Sequence, residues 1–300
     1  MKEIITRRKA TSTEVRKGFE FFYENKFFNM WMNKFKFDGL GYQEIHYIMK
    51  KFWFDGTIAC SKRLNPPEVE SELPKVVYTP WVMSTTYNCY DFPNYARCIN
   101  TRGVSYINIE SLEVDKDIIL GWCQANHKGV YSMLAPKIAQ LVDLEMVIRI
   151  CTKNQKAPWI IGMSPDDKKA VDSLITDLQS DEPVLITMLN DLKNSKALTS
   201  GAPYVVDKLE AQRQKIEDDC KTMLGVSNVG IAQKKEHFTD DEVQANNSEI
   251  MDNGEEWLDH ISAFFERVNK AFKENVKVSL SHEIELSYND SEDKEVESDE

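Results

Sequence analysis

The sequence predicts a mixed α+β chain that is mainly helical. Three observations carry that expectation. Several long segments place apolar residues at helical spacing and are bounded by capping signals, Pro or Gly. Between about residues 57 and 127 the pattern changes to short β-branched and aromatic runs separated by turn residues. A compact β-α-β alternation over about 157–195 lies between two further helices.

The first helix starts near Ser12, because Thr11 to Glu14 fits the S/T-x-x-E capping box. It is expected to run through EVRKGFEFFYENKFFNMWMNKFKF and to stop at Asp38-Gly39. Phe21, Phe22, Phe28, Trp31, Met32 and Phe35 recur at helical spacing, the stripe of a core helix. A second helix, YQEIHYIMKKF, ends at Phe54-Asp55-Gly56. The runs VVYTPWVM, YARCIN, GVSYINIE and DIILGW then read as strands of a small β-rich unit.

Pro136 suits a first helical turn, which sets the next helix at about 135–153. Ile138, Leu141, Val142, Met146, Val147, Ile148, Ile150 and Cys151 leave its second half apolar nearly all round, so it needs several neighbours to cover it. WIIGM and PVLITML read as strands, with PDDKKAVDSLITDLQ as a short helix between them.

The stretch GAPYVVDKLEAQRQKIEDDCKTMLG then forms a sharply bounded helix over 203–224, with Pro203 in its first turn and Gly225 at its left-handed end. Val205, Leu209, Ile216, Cys220 and Met223 make one narrow apolar stripe, and the remaining surface is charged and expected to be wet. Its partner is the apolar 135–153 helix. Residues 227–250 show neither period and read as a functional or disordered loop. A helix with Trp257, Ile261, Phe264, Phe265, Val268 and Phe272 on one face follows, then a closing strand NVKVSLS.

Charge is uneven along the 300 residues. The first 17 hold six basic and two acidic side chains, among them Arg7, Arg8 and Lys9. That head is either a phosphate-binding arm or a plain disordered one. Residues 283–300 hold nine acids and one lysine, within a formal net charge of -12, and read as a solvated acidic tail. No apolar run is long enough to span a bilayer, and no apolar segment follows the basic head as a signal peptide requires. Six scattered cysteines without a C-x-x-C pair read as reduced and structural.

Enzyme signatures are missing. There is no G-x-x-x-x-G-K-[ST], H-E-x-x-H or G-x-S-x-G, and the five histidines form no ligand set. Asp240, Asp241 and Glu242 could suggest a Mg²⁺ site, against which stands plain solvation of three adjacent acids. No catalytic residue, metal or cofactor is expected.

The order of these parts resembles the head–tail connector, or portal protein, of small short-tailed bacteriophages with protein-primed linear genomes. APYVVDKLEAQ at 202–212 carries the resemblance most strongly, joined by KKEHFTDDEVQANNSEI at 234–250 and NVKVSLS at 275–281. TKNQKAPWII and EPVLITML match more loosely. The resemblance implies a homo-dodecameric ring at one capsid vertex of the virion, through which double-stranded genomic DNA is packaged and ejected. It implies partners as well: a packaging ATPase with or without a structural RNA, major capsid and scaffolding proteins, and a tail collar protein.

The resemblance also divides the chain. Residues 1–17 are a basic arm, 18–131 a helical and β-rich wing, 132–156 and 203–226 stem helices, and 157–202 a clip. Residues 227–250 are a channel loop, 251–282 return to the wing, and 283–300 are an acidic tail. The fold expected is thus a portal-type subunit with long stem helices, a small β-α-β clip insert and an α/β wing.

Repeated around a ring axis, Lys208 becomes a cationic band facing DNA, and so do Lys234 and Lys235. Lys208 could equally be solvated or paired on a charged helix. The family has a lysine nine residues before the one matching Lys208; here that position is Thr199, with Lys196 nearest. Gln233, Glu236, His237, Asp240, Asp241 and Glu242 complete the expected channel loop, and Arg7, Arg8 and Lys9 the arm that meets the packaging machinery. Two other readings stand beside this one: a tail collar or adaptor ring, and a metal-dependent nuclease using Asp240, Asp241 and Glu242.

Overall fold

A computed structural model describes residues 11–64, 75–84, 86–156, 159–162, 196–199, 205–228 and 240–281. Side chains are described for these except at 153–156, 159–162, 196–199 and 240–245. The chain divides into two compact units, Met1–Phe27 with Tyr131–Lys221, and Phe28–Val130 with Thr222–Glu300.

The first unit is built from helices. α1 (Ser12–Asn33) opens on the expected capping box. The Thr11 N–H donates to Glu14 Oε2 at 2.7 Å, and the Glu14 N–H donates back to Thr11 Oγ1 at 3.2 Å. Its buried stripe is Tyr23, Phe27 and Trp31, four residues apart. Phe21 and Phe22, expected in the core, are 68% and 54% exposed. Successive helical residues are 100° apart, so Phe21, Phe22 and Tyr23 cannot share one face.

α3 (Val130–Lys156) begins five residues before the expected start, leaving Pro136 inside the helix. A proline there forfeits one backbone bond. The buried series Val130, Leu134, Ile138, Leu141 runs past it at helical spacing and offsets that loss. The apolar second half departs from expectation too. Ile138, Leu141 and Val142 are buried, but Val147 is 42% and Ile150 is 54% exposed.

β8 (Trp159–Gly162) falls where the first strand of the insert was expected. It pairs antiparallel with β9 (Lys196–Thr199), a strand not foreseen, in the register Trp159↔Thr199 to Gly162↔Lys196. The strand expected at 183–189 and the helix at 165–179 lie outside the described residues. α4 (Val206–Met223) carries the polar stretch, and Pro203 lies outside the described residues.

The second unit packs helices on small antiparallel sheets. The first helix was expected to reach Phe37, but β1 (Phe35–Asp38) leaves it and pairs with β10 (Lys277–Leu280), Phe35 opposite Leu280. Phe35 is buried and Lys36 exposed, so period two replaces the helical period once a partner strand is present. α2 (Tyr42–Phe54) ends as expected at Asp55.

β2 (Thr57–Lys62) lies between β3 (Val76–Thr79) and β7 (Ile118–Trp122). A second sheet orders β4 (Trp81–Met83), β5 (Tyr95–Cys98) and β6 (Leu112–Glu113). The VVYTPWVM run thus splits into two strands at Pro80. Ala59, Ala96, Cys98, Ile118 and Leu120 form a buried cluster in this unit. The strand expected at 103–110 is absent, because Asn100 closes a loop there. Its Nδ2 donates to the Val104 carbonyl at 2.7 Å, and its Oδ1 accepts the Val104 N–H at 2.9 Å.

α5 (Asp240–Phe272) starts inside the segment expected to be a loop. Ile250, fully buried, extends the Trp257, Ile261, Phe264, Phe265, Val268 and Phe272 stripe backward. Asn246 Nδ2 donates to Asn228 Oδ1 at 2.8 Å. These tertiary interactions hold as helix a stretch whose local pattern is weak. All six cysteines are free, with Cys60, Cys98, Cys123 and Cys220 buried.

The chain from Thr222 on belongs to the second unit, and side chains of that same unit meet its carbonyls. Asn253 Nδ2 donates to the Thr222 carbonyl at 2.9 Å, Trp257 Nε1 to the Met223 carbonyl at 3.3 Å, and Lys34 Nζ to the Gly225 carbonyl. Two carbonyls of the last helical turn, and that of Gly225 just beyond it, thereby gain side-chain donors. Gly225 sits at φ +66°, and a Cβ there would lie 2.7 Å from the Gly254 nitrogen. Gly225→Ala is expected to cost about 2–4 kcal/mol, combining the left-handed penalty with the overlap. Urea denaturation measures it, and a cost under about 0.5 kcal/mol would contradict this account.

Candidate nucleic-acid interface

α4 presents two different sides. On one lies the expected apolar stripe, of which Ile216 and Cys220 are buried while Val205, Leu209 and Met223 are only half-buried; Val206, outside that stripe, is buried as well. On another, Lys208, Gln212 and Lys215 are exposed. Lys208 and Lys215 are seven residues apart, hence within about 20° of one line and about 10 Å apart along the axis. Neither makes an ion pair among the described residues, so both ammonium groups face solvent with their charge uncompensated at short range. Lys215 was not singled out as a site residue; its spacing of seven from Lys208 is the signal that finds it.

The rest of the polar surface of α4 is not simply wet. Glu217 is 6% and Asp218 8% exposed. Lys26 Nζ lies 2.6 Å from Glu217 Oε1, Lys221 Nζ 3.5 Å from the same oxygen, and Arg213 Nη1 3.7 Å from Glu217 Oε2. Lys221 also reaches Asp218 at 2.8 Å, and Lys137 of α3 meets Asp219 at 2.8 Å. Arg213 approaches Glu145 of α3 at 3.6 Å, and the Tyr23 hydroxyl of α1 donates to that carboxylate at 2.6 Å. Within the first unit, charged side chains thus tie α1, α3 and α4 together.

The titration shifts follow from this network. Burial pushes the Glu217 carboxyl up, but the hydrogen bond and charge of Lys26, with Lys221 and Arg213, outweigh it and hold the group below its ordinary value. Burial, then the neighbouring Glu145 carboxylate, pushes the Tyr23 phenol up to about 12. Burial keeps the Cys220 thiol protonated, pushed up to about 12 against the opposing Lys137 charge. The network is therefore ionised where charge is paired and neutral elsewhere, which suits a structural wall.

Of the expected site residues, the side chain of Lys208 alone is described, exposed on α4. Lys196 opens β9, opposite Gly162, and its side chain lies outside those described. Gln233, Lys234, Lys235, Glu236 and His237 lie outside the described residues, as do Arg7, Arg8 and Lys9. Asp240, Asp241 and Glu242 form the first turn of α5 rather than part of a loop, with their side chains outside those described.

The sequence model of the family described as Phage Connector (GP10) matches residues 2–285. Among solved structures, the chain is similar to one in the portal and tail of native bacteriophage P68, at 11% identity and a TM-score of 0.43, covering 92% of this chain and 93% of that one. It is also similar to an HK97 family phage portal protein from Corynebacterium diphtheriae, at 11% identity and a TM-score of 0.47, covering 90% and 96%.

Proposed function

This chain belongs to the phage connector family, and we propose that it works there as one subunit of a closed twelve-membered ring through which double-stranded DNA enters and leaves the head. Its role is that of a head–tail connector, a structural protein of the virion associated with capsid and tail. No helix among the described residues is long and apolar enough to cross a membrane.

The observation that carries the ring is apolar surface left open on the helical unit. Val147 and Ile150 of α3, with Phe21 and Phe22 of α1, are between 42% and 68% exposed. A helix end this apolar needs cover, and the described residues of its own chain leave these side chains open. A neighbouring copy in a head-to-tail arrangement that closes supplies the cover, and closure makes every seam alike. In that arrangement α3 and α4 form the stem, 157–202 the clip, and the 229–248 segment, helical from Asp240 on, faces the bore. The Arg7, Arg8 and Lys9 arm meets the packaging ATPase, which supplies the energy.

Lys208 and Lys215 then form two cationic bands on a wall otherwise rich in acids. Few phosphate pairings let a duplex slide, whereas many would hold it. Assembled rings carrying Lys208→Ala and Lys215→Ala are expected to retain DNA less well. The slope of log affinity against log salt should shrink by about 0.9 for each phosphate that the variant no longer neutralises. Filter binding across a salt series measures this, and an unchanged slope removes both lysines from the bore.

A further inference from the structure

In the second unit a cavity of about 440 Å³ opens between the first turns of α2, the β2–β3 ladder and the 99–107 loop. Two cations line it, Arg63 and Arg102. The carboxylate beside them, Glu44, is already engaged, its Oε2 accepting the Gly41 N–H at 2.9 Å in the cap of α2. The Arg63 guanidinium lies over the Tyr106 ring, its Cζ 4.6 Å from the centroid. Its backbone is fixed as well. The Arg63 N–H donates to the Lys75 carbonyl at 3.0 Å, and the next N–H, of Leu64, to the Tyr106 carbonyl at 2.9 Å.

Stacking holds the guanidinium in place but does not satisfy its edge. Among the described residues, Nε and Nη1 of Arg63 are buried with no hydrogen-bond partner. The Thr79 hydroxyl, on a residue 3% exposed that also lines the cavity, is in the same condition. Buried polar groups are nearly always partnered, and leaving two nitrogens of a charged guanidinium buried and unpaired is costly. The side-on fork of an arginine matches a planar or tetrahedral oxyanion. Val76, Val104 and Ile107 add apolar wall around it.

We propose that this cavity binds an oxyanion, phosphate or carboxylate, carried on an apolar body, with Arg63 and Arg102 as its cationic contacts and Thr79 as a hydroxyl donor. All the residues of the site belong to the second unit.

The test is thermal unfolding of the full chain titrated with sodium phosphate, sodium benzoate or sodium chloride at matched ionic strength. Phosphate, benzoate or both should raise the midpoint saturably, while chloride does not. A response to phosphate alone assigns a phosphate ester, to benzoate alone a carboxylate. Arg102→Gln, at an exposed position, should keep the unliganded midpoint and weaken the anion effect about tenfold or more. Arg63→Met should abolish the anion effect. No saturable shift in the natural chain, or an undiminished shift in Arg102→Gln, overturns the proposal.

Discussion

Replacing Val147 and Ile150 together by glutamate is expected to leave the chain folded but unable to close a ring. Both side chains are already about half in water in the single chain, 42% and 54% exposed, so the subunit loses little of its own core. In the proposed ring, a seam that covers them gains roughly 1–2 kcal/mol of apolar burial per residue. Placing two carboxylates in that seam removes this gain and adds a desolvation cost of several kcal/mol. The association constant at each seam should then fall by on the order of 1,000-fold. The lesion is repeated at every seam, so partial rings are disfavoured along with complete ones. Native mass spectrometry should show monomers with an unchanged circular dichroism spectrum. Rings of normal size from this variant would show that the seam lies elsewhere.

The second large effect is expected at Glu217. Its carboxylate, 6% exposed, is approached by Lys26, Lys221 and Arg213, so Glu217→Ala leaves three cations short of their common counter-charge. Removing one member of a buried ionic cluster costs about 3–5 kcal/mol. Part of that is spared here because Lys26 and Arg213 keep some solvent exposure, which points to about 2–4 kcal/mol. Guanidinium denaturation should show the loss as a lower midpoint.

The pH dependence has a defined sign. Glu217 titrates below its ordinary value of 4.5 in the folded chain, so the unfolded chain binds the proton first as pH falls. The stability it contributes is complete above about pH 4.5 and is lost as pH drops through the folded value. Glu217→Gln should flatten that acid limb. An acid limb identical to that of the natural chain would mean that the carboxylate is not stabilised by its neighbours.

Much of the architecture could be read from local pattern. The capping box at Thr11 to Glu14, the glycine end at Gly225 and the Trp257 to Phe272 stripe are decided by groups within a few residues of one another, and all three stand in the structure. The departures occur where a distant partner outweighs the local signal. Phe35 to Asp38 continues the aromatic run of α1, yet it becomes a strand because β10 offers it a ladder. Asn246 to Ile250 is polar and aperiodic, yet it is helical because Asn228 and the core receive it.

The polar helix α4 shows the same division at the candidate site. Its sequence alone determined where it ends, which stripe is apolar, that Lys208 lies off that stripe, and, through APYVVDKLEAQ, which family it resembles. Which of its charges are wet was decided only by the tertiary structure. Glu217 and Lys215 each carry one full charge, of opposite sign, on one helix, but Glu217 is buried among Lys26, Arg213 and Lys221 while Lys215 stays in water on the side of Lys208. The reason is physical: a charge leaves water only where opposite charges converge on it, and although Arg213 and Lys221 stand one turn either side of Glu217 on α4 itself, the closest cation, Lys26, is brought by α1, which only the packing of the helices decides.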